Sequence, residues 1–168
     1  MSIADLLRPE LEQELAVTRR VLERVPDDRG EWKPHPKSFP MAHLAQLVAR
    51  IPAWLPMMLD RAELDIQPLD GPKFPGYSIE TTATLLAEFD RNVAQAMAAL
   101  SRATDAAWDE PWTLKRAGKD VATGTRYLMT RTMVVNHLVH HRAQLGLYLR
   151  LVDEQVPSMY GPTADDKG

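Results

Sequence analysis

The sequence predicts an all-α protein, a four-helix bundle in which residues 1–168 form one domain. Three observations carry that expectation. Apolar residues recur at three- and four-residue steps through four long segments, the spacing of one face of an α-helix. Those segments are matched, each roughly 25 residues and so about 38 Å long, and rods of equal length pack along one another over a shared core. No segment alternates apolar and polar residues convincingly enough to read as a strand.

Taken in order, the first helix is expected over about residues 2–25, where Leu7, Leu11, Leu15, Val21, Leu22 and Val25 recur at helical steps and Pro26-Asp27-Asp28 stops the run. The stretch from Pro26 to Pro40 holds four prolines together with Trp32, His35 and Phe39, and its aromatics make it an ordered loop. A second helix is expected over about 41–63, with Leu44, Leu47, Val48, Ile51 and Leu55 on its apolar stripe. Pro52 and Pro56 each remove an intrahelical hydrogen bond, so this helix is expected to kink. Ser78 reads as the N-cap of a third helix over about 78–102, whose Ile79, Ala83, Leu86, Phe89, Val93, Met97 and Leu100 share one face. Residues 101–123, with Trp108, Pro111, Trp112 and Gly118, fit either a short hairpin or an irregular connection. The fourth helix, over about 124–152, carries the strongest periodicity, through Tyr127, Met133, Val134, Leu138, Leu145, Tyr148 and Leu149. The tail 153–168 is rich in turn formers and is expected on the surface.

Composition narrows the function classes. Of 168 residues, 45% are hydrophobic and 26% charged, enough for a full core without covalent staples. The formal net charge of −3 offers no basic field for nucleic acid or anionic lipid. With no cysteine, thiolate metal sites and a protein thiol nucleophile are excluded, and any metal must be held by nitrogen and oxygen ligands. Asp5 and Glu10 interrupt what a secretory signal would need, and no window is apolar for the length of a membrane span, so a cytoplasmic protein is expected.

Three of the five histidines, His137, His140 and His141, fall in NHLVHHRAQ on the fourth helix, and His43 opens the second. His137 and His141 lie about 40° apart on one helical face with Cβ atoms roughly 5–6 Å apart, and Thr130, Val134, Leu145 and Tyr148 on that face turn it inward. Two partly buried neutral imidazoles present two acceptors with no donor between them, and a divalent cation satisfies both at once. His43, on the core side with Leu47, is the candidate third ligand. The same spacing also serves histidines that are simply hydrogen-bonded or exposed, the reading that fits His140 and His35. Leu138 stands where a zincin would carry its general-base Glu, so proteolysis of that type is not indicated. Asn136, Arg142 and Gln144 are candidates for orienting the ligands, Gln144 lying three residues past His141. Their ordinary alternative is structural, as it is for Trp54, Tyr148 and Tyr160.

The segment NHLVHHRAQLGLYLR at 136–150, the earlier helical histidine in FPMAHLAQLVARIPAWLPMML, the WKPHPKSF before it and the closing VPSMYGPTADD together resemble the DinB/YfiT-like family of proposed metalloenzymes. The resemblance implies a four-helix bundle of up-down-down-up order, frequent homodimers, and one divalent ion, usually zinc or nickel, on three histidines. Carried over by position, these are His43, His137 and His141. Three imidazoles leave a coordination position open, the mark of catalytic sites. Some relatives transfer or isomerise with mycothiol, bacillithiol or glutathione. The expectation is therefore a metal-dependent enzyme acting on a small molecule, either with an external low-molecular-weight thiol or by hydrolysis. Its rivals are a non-enzymatic, metal-stabilised stress-response bundle and a metal-free bundle that binds a hydrophobic ligand.

Overall fold

Ser2 opens helix α1 (Ile3–Leu22) with a capping box, its hydroxyl accepting from the Asp5 N–H while the Asp5 carboxylate accepts from its own N–H. The computed structural model describes residues 1–71, 75–78 and 80–167. Leu7, Leu11, Leu15 and Leu22 of α1 are buried, as the periodicity requires.

The second predicted helix is divided. α2 (Met41–Arg50) passes through a 3₁₀ turn at Ile51–Ala53 into α3 (Trp54–Asp60). Pro52 has no N–H to continue the α-helical ladder, whereas Pro56 falls in the first turn of α3, where its missing N–H costs nothing. The chain then becomes extended at β1 (Glu63–Asp65) instead of staying helical to 63.

The third helix, α4 (Thr82–Arg102), starts later than expected. Thr81 caps it in a box with Thr84, and the Ser78 N–H is spent instead on Gln46 Oε1 at 2.8 Å. Ile79 lies outside the described residues. A short α5 (Asp105–Asp109) follows.

The all-α class is overturned by what comes next. β2 (Pro111–Arg116) and β3 (Lys119–Thr125) form an antiparallel hairpin, and β1 joins β2 in parallel, giving a three-stranded mixed sheet in the order β1-β2-β3. Ala117 and Gly118 make the tight turn at φ of 52° and 75°, the left-handed conformation that two-residue hairpins need. The Asp65 carboxylate accepts from both of their N–H groups, at 3.1 and 2.7 Å, and so pins the hairpin to β1. Trp112 and Leu114 point inward from β2 while Thr113 and Lys115 lie nearer the surface. The molecule is thus a helical bundle with a small sheet attached, not a pure four-helix bundle.

Thr125 caps α6 (Arg126–Thr130), accepting from the Leu128 N–H. A π-helical segment at Arg131–Asn136 then leads into α7 (His137–Leu151). π-segments often sit at functional sites because they shift side chains relative to a regular helix. α1 packs on α4 and α7, and α2 packs on the same two helices. Phe89, Leu44, Leu145 and Leu149 fill the space between them.

The tail is more firmly held than a surface segment. Val156 and Ser158 are buried, and the Asp165 carboxylate accepts from the Val156 N–H and pairs with Arg150. Tyr160, although itself mostly exposed, donates its hydroxyl to Glu14 Oε1 at 2.8 Å.

Candidate functional site

α7 begins at His137, directly after the π-segment, and places His141 one turn further on. Their Nε2 atoms lie 2.8 Å apart. His141 Nδ1 is 2.8 Å from Gln144 Oε1, which makes Nδ1 the protonated nitrogen and leaves a lone pair on Nε2. His137 Nδ1 is buried near the Met133 carbonyl without a hydrogen bond to it, so His137 carries its proton on Nε2 and donates to His141 Nε2. The two Nε2 atoms therefore share one proton across a short contact. Burial depresses the pKa of both rings, opposed only in part by the Gln144 and Met133 oxygens, so both are neutral near pH 7. Two facing acceptors at this separation repel unless a cation or a shared proton lies with them.

His43 is held differently. Its ring is stacked between Phe39, with centroids 4.2 Å apart, and Tyr77, at 3.8 Å, and the guanidinium of Arg50 lies against the Tyr77 ring. Burial first, and then the Arg50 charge, depress its pKa. Among the described residues no three His, Cys, Asp or Glu side chains are gathered as the ligands of one ion would be. The structure thus brings His137 and His141 together and keeps His43 in the aromatic stack.

The other candidates separate cleanly. Gln144 touches His141 as its spacing suggested. Arg142 turns the other way, to Glu14 on α1, and Asn136 is exposed. His140 stands edge-on to His141 at the surface, and His35 is exposed in its loop. Trp54 presents its edge to His137, with centroids 6.0 Å apart.

A cavity borders each of His137 and His141. One, of about 590 Å³, has His137 in its wall along with Trp54, Met57, Ile66 and Tyr77. The other, of about 410 Å³, has His141, Gln144, Phe39, Tyr148 and Lys37. The sequence reading missed the polar end of the first cavity. There Arg50 Nε donates to Glu88 Oε1 at 2.6 Å, Gln46 donates to Glu88 Oε2 at 2.7 Å, and Asn92 stands one turn along from Glu88. The available signal was a Glu and an Asn flanking Phe89 on α4, polar residues beside a position that must be buried.

The depressed histidine pKa values set a pH response. The folded chain holds these rings neutral more strongly than the unfolded chain, whose histidines titrate near 6.5, so below that pH the unfolded state binds more protons and stability falls. Thermal denaturation of metal-free protein should show a Tm that declines as pH drops from about 6.5 towards about 5, with a shallower decline in a His137→Phe variant. A wild-type Tm that tracks the variant across this window would show that burial does not hold the ring neutral.

A helical bundle carrying a small sheet, with paired inward histidines on its last helix, defines the class, and the comparisons name the family. The chain belongs to the DinB superfamily, whose family model matches residues 10–145. The fold is shared with a DinB-like protein from Bacillus cereus, at a TM-score of 0.68 and 18% identity over 95% of this chain and 98% of that one. A DinB-like protein from Bacillus subtilis superposes with a TM-score of 0.64 and 14% identity, covering 94% and 96%. No curated protein matches the chain in sequence. Among the described residues no helix is long and apolar enough to cross a membrane.

Proposed function

We propose that this chain binds one divalent ion, zinc or nickel, through Nε2 of His137 and His141 with His43 as third ligand, and acts there on a small molecule. The reaction class is transfer of a low-molecular-weight thiol to an electrophile, or hydrolysis. The observation that carries the reading is the approach of the two Nε2 atoms to 2.8 Å, with His141 Nδ1 held by Gln144 Oε1; an ion would replace the proton they share, His137 moving its own to Nδ1 beside the Met133 carbonyl. Two nitrogens each 2.0–2.1 Å from a tetrahedral ion stand about 3.3 Å apart, so holding one asks the pair to open by only about 0.5 Å. The donor set suits such an ion, since both rings are already neutral and lose no proton on binding it. His43 would leave its stack to join them.

When bound, the ion supplies a positive charge that lowers the pKa of a water or thiol in contact with it. Gln144 fixes the His141 tautomer. Trp54 and Met57 wall the His137 side and limit water there. With no cysteine in the chain, a reacting thiol comes from outside.

The test is calorimetric titration of metal-free protein with Zn²⁺ and Ni²⁺, followed by thermal denaturation. One equivalent should bind, and at a free concentration of 100 Kd the fold should gain about 2.7 kcal/mol. His137→Ala and His141→Ala should each abolish the gain, and His140→Ala should leave it intact. Binding that survives both ligand variants would sink the site. Turnover is then sought with mycothiol, bacillithiol and glutathione offered alongside electrophiles, and with simple esters and amides. Fully metallated protein that turns over none of them would leave the ion a structural role.

A further inference from the structure

The cavity beside His137 has an apolar body and one polar end, and that end is not self-satisfied. Leu47, Trp54, Met57 and Ile66 give walls of the kind that take a flat, ring-sized apolar body, and about 590 Å³ is within the usual range for small-molecule sites. At the polar end Arg50 Nε is spent on Glu88, and its Nη1 is spent on the Pro75 and Gly76 carbonyls. Each Glu88 oxygen takes one hydrogen bond, from Arg50 or from Gln46, and keeps lone pairs to spare. Asn92 is buried, its Nδ2 donates to the Ala49 carbonyl at 2.9 Å, and no described residue donates to its Oδ1. Arg50 Nη2 has no described partner, but its charge is balanced by Glu88; on the α4 side of this end the unspent capacity is all acceptor, the Asn92 carbonyl oxygen and the Glu88 carboxylate one helical turn apart.

A ligand that buries this end without offering a donor leaves those acceptors dry, which is costly. An anionic head meets the Glu88 carboxylate, and Arg50, already paired with it, has no unbalanced charge to offset that repulsion. A cationic head must shed its water beside an ion pair whose charges already cancel. We infer that this cavity is the seat of a neutral small molecule with an aromatic or ring-sized apolar body and a hydrogen-bond-donating head, a hydroxyl or an amide N–H. The head lies against Glu88 and Asn92, and the other end of the molecule is directed at His137. Only the identification of the His137 end as the reacting end rests on the metal reading above; the head-group selectivity stands on the cavity alone.

The experiment titrates the full chain by calorimetry with four probes of one body, naphthol, methoxynaphthalene, naphthoate and naphthylmethylammonium. It is run once on metal-free and once on zinc-treated protein. Naphthol should bind in both, about tenfold or more tighter than methoxynaphthalene, which keeps the oxygen but has no donor. Naphthoate and naphthylmethylammonium should be weaker than naphthol by a similar factor. Ala53→Trp, which fills the cavity from its α3 side, should abolish naphthol binding with the circular dichroism spectrum unchanged, and Ile66→Trp serves as a second filling variant should the first fail to fold. Equal affinity for naphthol and methoxynaphthalene, tighter binding of either ion, or naphthol binding that survives both filled cavities would overturn the inference. Naphthol selectivity in protein that takes up no zinc would uphold this cavity and reject the metal reading, whereas zinc uptake without naphthol selectivity would do the reverse.

Discussion

Replacing Arg142 with alanine is expected to destabilise the protein by about 3–5 kcal/mol, the cost of leaving one member of a buried ion pair alone. Arg142 is 1% exposed. Its Nη2 lies 2.7 Å from Glu14 Oε2, near enough for an ion pair though angled away from a linear hydrogen bond. Its Nη1 donates to the Glu14 carbonyl at 3.0 Å and to Thr18 Oγ1 at 3.2 Å, and the Tyr160 ring covers the guanidinium at 5.3 Å. Alanine removes all of these and leaves the Glu14 carboxylate inside the protein with the Tyr160 hydroxyl as its remaining partner. For a chain of this length the loss corresponds to a fall in Tm of about 6–20 °C, read by thermal or urea denaturation. The paired variant Glu14→Leu/Arg142→Met removes both charges and should be far less damaging than the single change. A single-variant loss below about 1 kcal/mol would show that water reaches Glu14. Because Arg142 faces α1, its loss should leave the zinc stoichiometry of whatever protein remains folded unchanged, which separates it from the His141 variant next door.

Trp112→Ala is expected to cost a similar amount, about 3–5 kcal/mol, by opening a cavity between the sheet and the helices. Trp112 is fully buried, stands opposite Gly124 in the hairpin, and carries an indole N–H with no partner among the described residues. Its contribution is therefore apolar burial and packing rather than a hydrogen bond. Trp112→Phe keeps most of that surface covered and should lose much less. Urea denaturation of both variants decides the matter. An alanine variant within about 1 kcal/mol of wild type would mean that the hairpin rests loosely on the bundle and that the sheet is an appendage the core does not need.

The helices were legible because their signal is local and repeated: Leu7, Leu11 and Leu15, or Leu138, Leu145 and Leu149, restate one spacing over several turns. Their ends were less so. Ser78 and Thr81 are both good caps, and the helix uses Thr81, in a reciprocal box with Thr84, while Ser78 is tied to Gln46 of another helix. In β2 the alternation of Trp112 and Leu114 was present but spans only two inward residues, and the hairpin's hydrogen bonds lie with β1, some fifty residues earlier, as well as with β3. Strand pairing of that kind leaves little trace in a single segment.

The histidine pair divides the same way. That His137 and His141 share a face, and that Gln144 reaches His141, follows from residues three and four apart on a helix, a relation no tertiary packing alters. That Arg142, the residue next after His141, turns instead to Glu14, that His43 is stacked between Phe39 and Tyr77, and that Glu88 and Asn92 complete a cavity all depend on which helices meet and at what angle. Contacts within one helix are set by a repeating backbone geometry, while contacts between elements are set by how every other side chain packs. The first can be read along the chain and the second only in space.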